Sequence, residues 1–176
     1  DAFKKKYPGI TVNELNPDAG SGDEVQAIIA NKGNTGPQAP DVIDVGLSFG
    51  PAAKAQGLIQ PYKVSTWDSI PAAAKDADGY WYGDYYGVLS FLVNDDLVTN
   101  APKTWADLQK SDYANSVALS GDPRVANQAI QSVYAAGLST GAAAGAAAGT
   151  AGLDYFKKLN AAGNFVPVIG KAASLA

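Results

Sequence analysis

APDVIDVGLSFGPAAKAQGLIQPY, residues 39–62, carries the reading of the fold. Asp41 to Val45 is a short, mostly apolar run ending at Gly46, the pattern of a strand buried in a parallel sheet. Gly50 to Gln56 then reads as a helix closed by Gly57, a residue free to take the left-handed backbone that ends helices. Between them lies Gly46-Leu47-Ser48-Phe49-Gly50, a loop whose small residues let backbone amides approach a bound molecule. The same order holds upstream. Ile10 to Leu15 alternates as a strand after Pro8-Gly9 stops the helix tail DAFKKKY. Asp23 to Asn31 is a short helix with Val25, Ile28 and Ile29 on one face, opened by the cap region Ser21-Gly22-Asp23. Strand, helix, strand, helix predicts an α/β fold with a largely parallel sheet and helices on its faces. Ligands bind such sheets at the carboxyl ends of the strands, which makes Ser48 and Phe49 binding candidates.

Downstream, residues 60–79 are irregular and rich in Pro, Asp and Ala. GYWYGDYYG, residues 79–87, then gathers five aromatic side chains and one carboxylate between glycines and runs into the strand VLSFLVN. Rings this dense either fill a core or line a cleft for a polar solute. Trp81 and Tyr86 are assigned to core or cleft wall. Asp95-Asp96 ends the strand, Thr104 is the expected N-cap of a short helix, and Ser116 to Leu119 starts a new strand. Arg124 to Ala136 reads as a long helix, with Asp122 as N-cap and Pro123 at its first position. The free amides of such a start can meet an anion, and Arg124 adds a fork suited to carboxylate or phosphate. Ser120 and Asn127 flank this start and complete the candidate set there. GLSTGAAAGAAAGTAG, residues 137–152, reads either as a flexible low-complexity loop or as a run in which small residues stand for other side chains. Phe165 to Ile169 is the last strand, followed by Lys171 in a loop.

Composition narrows the chemistry. The 176 residues, 47% hydrophobic and 17% charged, describe a folded globule of one domain or two small lobes. A net charge of -4 gives no field that draws nucleic acid or anionic lipid, and Lys4-Lys5-Lys6 reads as a solvated helix face. Without Cys or His the chain has neither disulfides nor thiolate sites, and no Ser-His-Asp triad can be built from it. No apolar run is long enough to span a bilayer.

The segments AFKKKYPGITV, APDVIDVG, AKAQGLIQPY, GYWYGDYYGVLSFLVN, PKTWADL, SGDPRVANQAIQSVYAA and GLDYFKKLNAAGNFVPV, taken in order, resemble the extracellular solute-binding proteins of ABC importers. The resemblance is to the branch that holds ferric-iron, polyamine, thiamine and phosphonate binders. It implies a periplasmic-binding-protein-like fold of two α/β lobes (type II), incomplete in this chain, which lacks the first strand and ends before the rest of the second lobe. The first lobe would span 1–95, the hinge crossover 96–102 and part of the second lobe 103–176. The implied role is capture of a small polar solute, anionic or a metal chelate, between the lobes for import, with no catalysis. The implied partners are the solute and an ABC permease, with no nucleic acid and with membrane contact only through the permease. A monomer at the periplasmic or extracellular face is expected, with no cofactor and with a bound metal such as iron left open. In this family Tyr82, Asp84 and Tyr85 fall where loop turns into hinge strand beside the ligand. The alternatives are a polyamine-binding transport protein, using Asp84 and the tyrosines, and a carbohydrate-active enzyme with an aromatic platform and two carboxylates.

Overall fold

A computed structural model describes residues 2–16 and 18–167. Lys171 and the end of the strand expected at 165–169 lie outside the described residues.

The three helices expected in the first half are present, within two residues of their expected bounds. Helix α1 (Ala2–Lys6) stops before Pro8-Gly9. Helix α2 (Ser21–Ala30) begins two residues earlier than the sequence suggests, with Gly20 as N-cap. The Asp23 carboxylate accepts the Gly20 amide at 3.1 Å, which satisfies a donor the helix itself leaves open. Helix α3 (Phe49–Ala55) closes at Gly57, whose φ of 65° lets the Leu58 amide reach the Ala53 carbonyl at 3.0 Å.

The second half holds most of the core. Twelve apolar residues are buried among the described residues, and of these only Val25 and Ala53 precede Leu108. Helices α4 (Asn127–Ser139) and α5 (Ala146–Ala161) pack as a hairpin. One cluster joins Leu108, Ala136, Tyr155 and Leu159; a second joins Leu119, Ala126, Ala129 and Val133, and Phe156 and Phe165 pack against both. Phe91 stacks edge-on to Trp105 at 5.0 Å and so ties the extended segment 88–93 to this core.

Several expectations are corrected. The segments 10–15, 41–45 and 88–93 form no strand ladder among the described residues, where the pairing consists of two isolated bridges. An extended segment becomes a strand only when a neighbour takes its amides and carbonyls, and among the described residues no backbone hydrogen bond joins any of these three to another. The parallel bridge of Val117 and Phe165 is where two expected strands do meet, with the Val166 amide on the Val117 carbonyl at 2.7 Å. The Gly/Ala run is no flexible loop: it supplies the end of α4, a turn with Gly141 and Gly145 at positive φ, and the start of α5. Tyr86 is 93% exposed and belongs to no core. Asp122 and Pro123 do not open α4, because residues 122–126 form a separate turn in which the Ala126 amide bonds the Asp122 carbonyl at 2.8 Å. The N-cap is Ala126.

Candidate functional site

Two of the segments singled out by sequence meet. The loop 46–50 leads into α3, and the turn 120–126 leads into α4, and they touch at Gly46 and Asn127. A Cβ built on Gly46 would lie 2.2 Å from both Cγ and Oδ1 of Asn127, so the side chain rests directly on the glycine backbone. The start of α2 joins from the side. The Gly46 amide donates to Ser21 Oγ at 3.0 Å, and the Gly22 amide donates to the Val125 carbonyl at 3.3 Å. Cβ atoms on Gly20 and Gly22 would approach Val125 to 2.9 and 3.1 Å. Three glycines thus form a seam against Val125 and Asn127, some 80 to 100 residues away in sequence. Asn127 Oδ1 is buried there without a hydrogen-bond partner among the described residues.

The predicted residues divide around this seam. Ser48 stands at the N-cap position of α3 in helical backbone, exposed, with no cap bond from its side chain; Phe49 is half-buried beside it. Ser120 is half-buried in the turn before α4. Asp122 accepts from the Arg124 amide at 2.8 Å and from Nε at 2.9 Å and Nη2 at 2.5 Å of its guanidinium. The guanidinium first, and the amide second, hold the Asp122 carboxyl at about 2. Arg124, predicted to face an anion, is therefore engaged by its own neighbour, although 86% of its side chain is exposed.

The aromatic stretch splits. Trp81 packs on the start of α3, where a Cβ on Gly50 would lie 2.8 Å from its Cγ. It is held there by a clip: Lys54 of α3 donates to Asp76 at 2.8 Å and to Asp78 at 2.8 Å, and the Asp76 amide bonds the Trp81 carbonyl at 3.0 Å. The Lys54 ammonium keeps the Asp76 carboxyl below the ordinary carboxylate range. Tyr82 turns away and meets Trp67 edge-on at 5.9 Å, while Asp84 is exposed and Tyr85 is 74% exposed. These three are not brought to the seam.

Sequence reading missed Gly20, Gly22, Gly46 and Val125 as parts of one contact. The signal was the glycines themselves, at a helix start and a strand end, where an absent Cβ points to close backbone approach. Glu24 also escaped notice. Its carboxylate accepts the Asp44 amide at 3.3 Å, and burial, more than the nearby Asp44 charge, raises its pKa. Among the described residues no three His, Cys, Asp or Glu side chains cluster as metal ligands, and no helix is long and apolar enough to cross a membrane.

Helix starts meeting across the chain, with a loop at the carboxyl end of an extended segment, resemble the arrangement of a ligand-binding cleft. The fold is that of the two-lobe periplasmic binding proteins: the chain superposes on the periplasmic binding protein AfuA of Actinobacillus pleuropneumoniae, solved with exogenous fructose-6-phosphate bound, with a TM-score of 0.72 at 22% identity over 97% of this chain and 52% of that one. Residues 38–175 match the family of bacterial extracellular solute-binding proteins, and the chain belongs to that family. It is 34% identical over 116 residues to a protein of Sinorhizobium fredii described as an ABC transporter periplasmic-binding protein, covering 64% of this chain and 31% of that protein. It is 32% identical over 117 residues to a protein of Salmonella typhimurium described as a 2-aminoethylphosphonate-binding periplasmic protein, covering 66% and 32%. The chain thus spans about a third of the length of these curated relatives.

Proposed function

We propose that this chain is the part of an ABC importer's solute-binding protein in which the two lobes meet, and that the whole protein captures a small polar anion in its cleft without transforming it. Residues 1–95 then belong to the first lobe, 96–102 to the crossover and 103–176 to the second lobe. The concentration of buried apolar residues after Leu108 supports that division. The observation that carries the reading is the meeting of the α2 start, the 46–50 loop and the α4 start at Gly46 and Asn127. Helix starts present open amides and the positive end of the helix dipole, which favours an anion over a cation. Family membership and the named relatives support the transport role, the periplasmic or extracellular location and the permease as partner, and a monomeric form is part of the proposal. The polyamine alternative has less support, because Asp84 and Tyr85 are exposed and neither is among the atoms that face Gly20, Gly22 and Gly46.

A thermal-shift screen of the natural protein tests this. The probes are inorganic phosphate, 2-aminoethylphosphonate, fructose-6-phosphate, ferric iron with and without carbonate, thiamine, putrescine, spermidine and simple sugars. A ligand that binds only the folded state raises Tm as its concentration exceeds Kd. A shift with the phosphate or phosphonate probes and no turnover is expected; a shift with polyamines alone, or consumption of a sugar, overturns the reading.

A further inference from the structure

We propose that the seam of Gly20, Gly22 and Gly46 against Val125 and Asn127 is the closing contact of the cleft, and that the missing side chain at Gly46 sets how far the cleft closes. This rests on the binding-protein reading. The glycines contribute only backbone to the contact: the Gly22 amide bonds the Val125 carbonyl, Gly20 and Gly22 lie against residues 124–125, and Gly46 lies against the Asn127 side chain. Gly46 is not among the glycines with positive φ, so its local conformation suits alanine. What forbids a side chain at residue 46 is Asn127 across the seam, at 2.2 Å from Cγ and Oδ1 and 2.7 Å from Cβ. A glycine kept by a neighbour from the far half of the chain, rather than by its own backbone angles, marks close approach between the two halves. The unpartnered Asn127 Oδ1 points the same way. A buried acceptor without a donor is unfavourable, and it is relieved where the cleft opens to water or where a bound solute donates to it.

The test uses the natural protein with a reporter pair at Lys32→Cys, after α2, and Lys157→Cys, on α5, both exposed positions in a chain that holds no cysteine. The distance between the two labels is read with and without inorganic phosphate or 2-aminoethylphosphonate, in wild type, Gly46→Ala, Asn127→Gly and the double variant. In wild type the probe shortens the distance. Gly46→Ala keeps the long distance and binds the probe about tenfold more weakly or worse, because less of the protein can reach the closed state. Adding Asn127→Gly removes the three atoms nearest the new methyl group and restores the short distance, the non-additivity expected of two residues in direct contact. If Gly46→Ala closes and binds as wild type does, or if the double variant stays as open as Gly46→Ala, the seam is not the closing contact. If wild type binds none of the probes, the functional reading fails and this inference fails with it.

Discussion

Gly152 of α5 faces the Val133 carbonyl of α4 so closely that a Cβ on it would lie 1.9 Å from that oxygen. The relationship is reciprocal along the hairpin, since a Cβ on Gly137 would lie 1.8 Å from the Ala148 carbonyl. The two helices approach at backbone distance, and a methyl group at either glycine must push them apart. Gly152→Ala and Gly137→Ala are each expected to cost about 3 kcal/mol, the upper part of the range for overpacking a filled core. Gly149→Ala is the internal control. It lies on the same helix with nothing within 4 Å of its Cβ position, and it should stabilise by about 0.5–1 kcal/mol through helix propensity. Urea unfolding of the three variants separates the effects; a Gly152→Ala midpoint at or above wild type would mean that the helices do not pack this closely.

Asn164 is 2% exposed, and its Nδ2 donates to the Leu108 carbonyl at 2.8 Å and the Lys110 carbonyl at 2.7 Å. Its backbone carbonyl also accepts the Val117 amide at 2.9 Å, so one residue joins the end of α5 to two earlier segments. Asn164→Leu keeps the volume but leaves two carbonyls without their donor, at about 1–3 kcal/mol each for buried groups. A loss of about 2–5 kcal/mol in chemical denaturation is expected. A loss below about 1 kcal/mol would mean that water replaces the amide and that the site is not closed.

The helices of the first half were legible because their signals are local, as at Pro8-Gly9 and Gly57, although the N-cap of α2 is Gly20 and lies outside the expected cap region Ser21-Gly22-Asp23. The start of α4 was misread for an equally physical reason. Asp122-Pro123-Arg124 satisfies every rule for opening a helix, yet the Asp122 carboxylate is taken by Arg124 and the helix waits for Asn127. The Gly/Ala run lacks any periodic apolar pattern, so nothing in it announces a helix. Its order comes from backbone packing at Gly137 and Gly152, which leaves no trace in hydropathy. The strand-loop-helix pattern singled out the loop of Ser48 and Phe49 and the helix-start pattern singled out Asn127, and the structure brings Asn127 against that loop at Gly46. The pairing of Gly46 with Asn127, and of Val125 with Gly20 and Gly22, was not legible, because each spans the chain.

Tyr155 is 3% exposed and its hydroxyl donates to the Trp105 carbonyl at 2.5 Å. Burial pushes the phenol up to about 12, from an ordinary value of 10.0. Burial disfavours the phenolate, so the folded state holds this proton longer than the unfolded state does. The stabilisation is complete below pH 10 and is lost as the pH rises from 10 to about 12. Alkaline titration followed at the tyrosinate absorbance should show one tyrosine ionising late, together with unfolding. In Tyr155→Phe that late component should vanish and the protein should lose about 1 kcal/mol at neutral pH. Ionisation of every tyrosine near pH 10 in the folded protein would contradict the burial.

The pairing of Asp122 with Arg124 has consequences for acid titration and for binding. The guanidinium and the Arg124 amide hold the Asp122 carboxyl at about 2, below the usual 3.8. A depressed carboxyl contributes stability above its unfolded pKa and loses it as the pH falls toward its folded one, here between about 4 and 2. Carboxyl-carbon NMR should therefore place the midpoint near 2 in wild type. Arg124→Ala should raise it toward 3.8 without reaching it, since the residue 124 amide still donates to Oδ1. An unchanged midpoint would mean that the pair does not persist in solution. The same pair sets the terms for an anionic solute, which must draw Arg124 away from Asp122 before it can use the guanidinium. Asp122→Asn removes that competitor and should strengthen phosphate or phosphonate binding, whereas Arg124→Ala should weaken it. If both variants bind as wild type does, Arg124 stays with Asp122 throughout and the anion is met without its guanidinium.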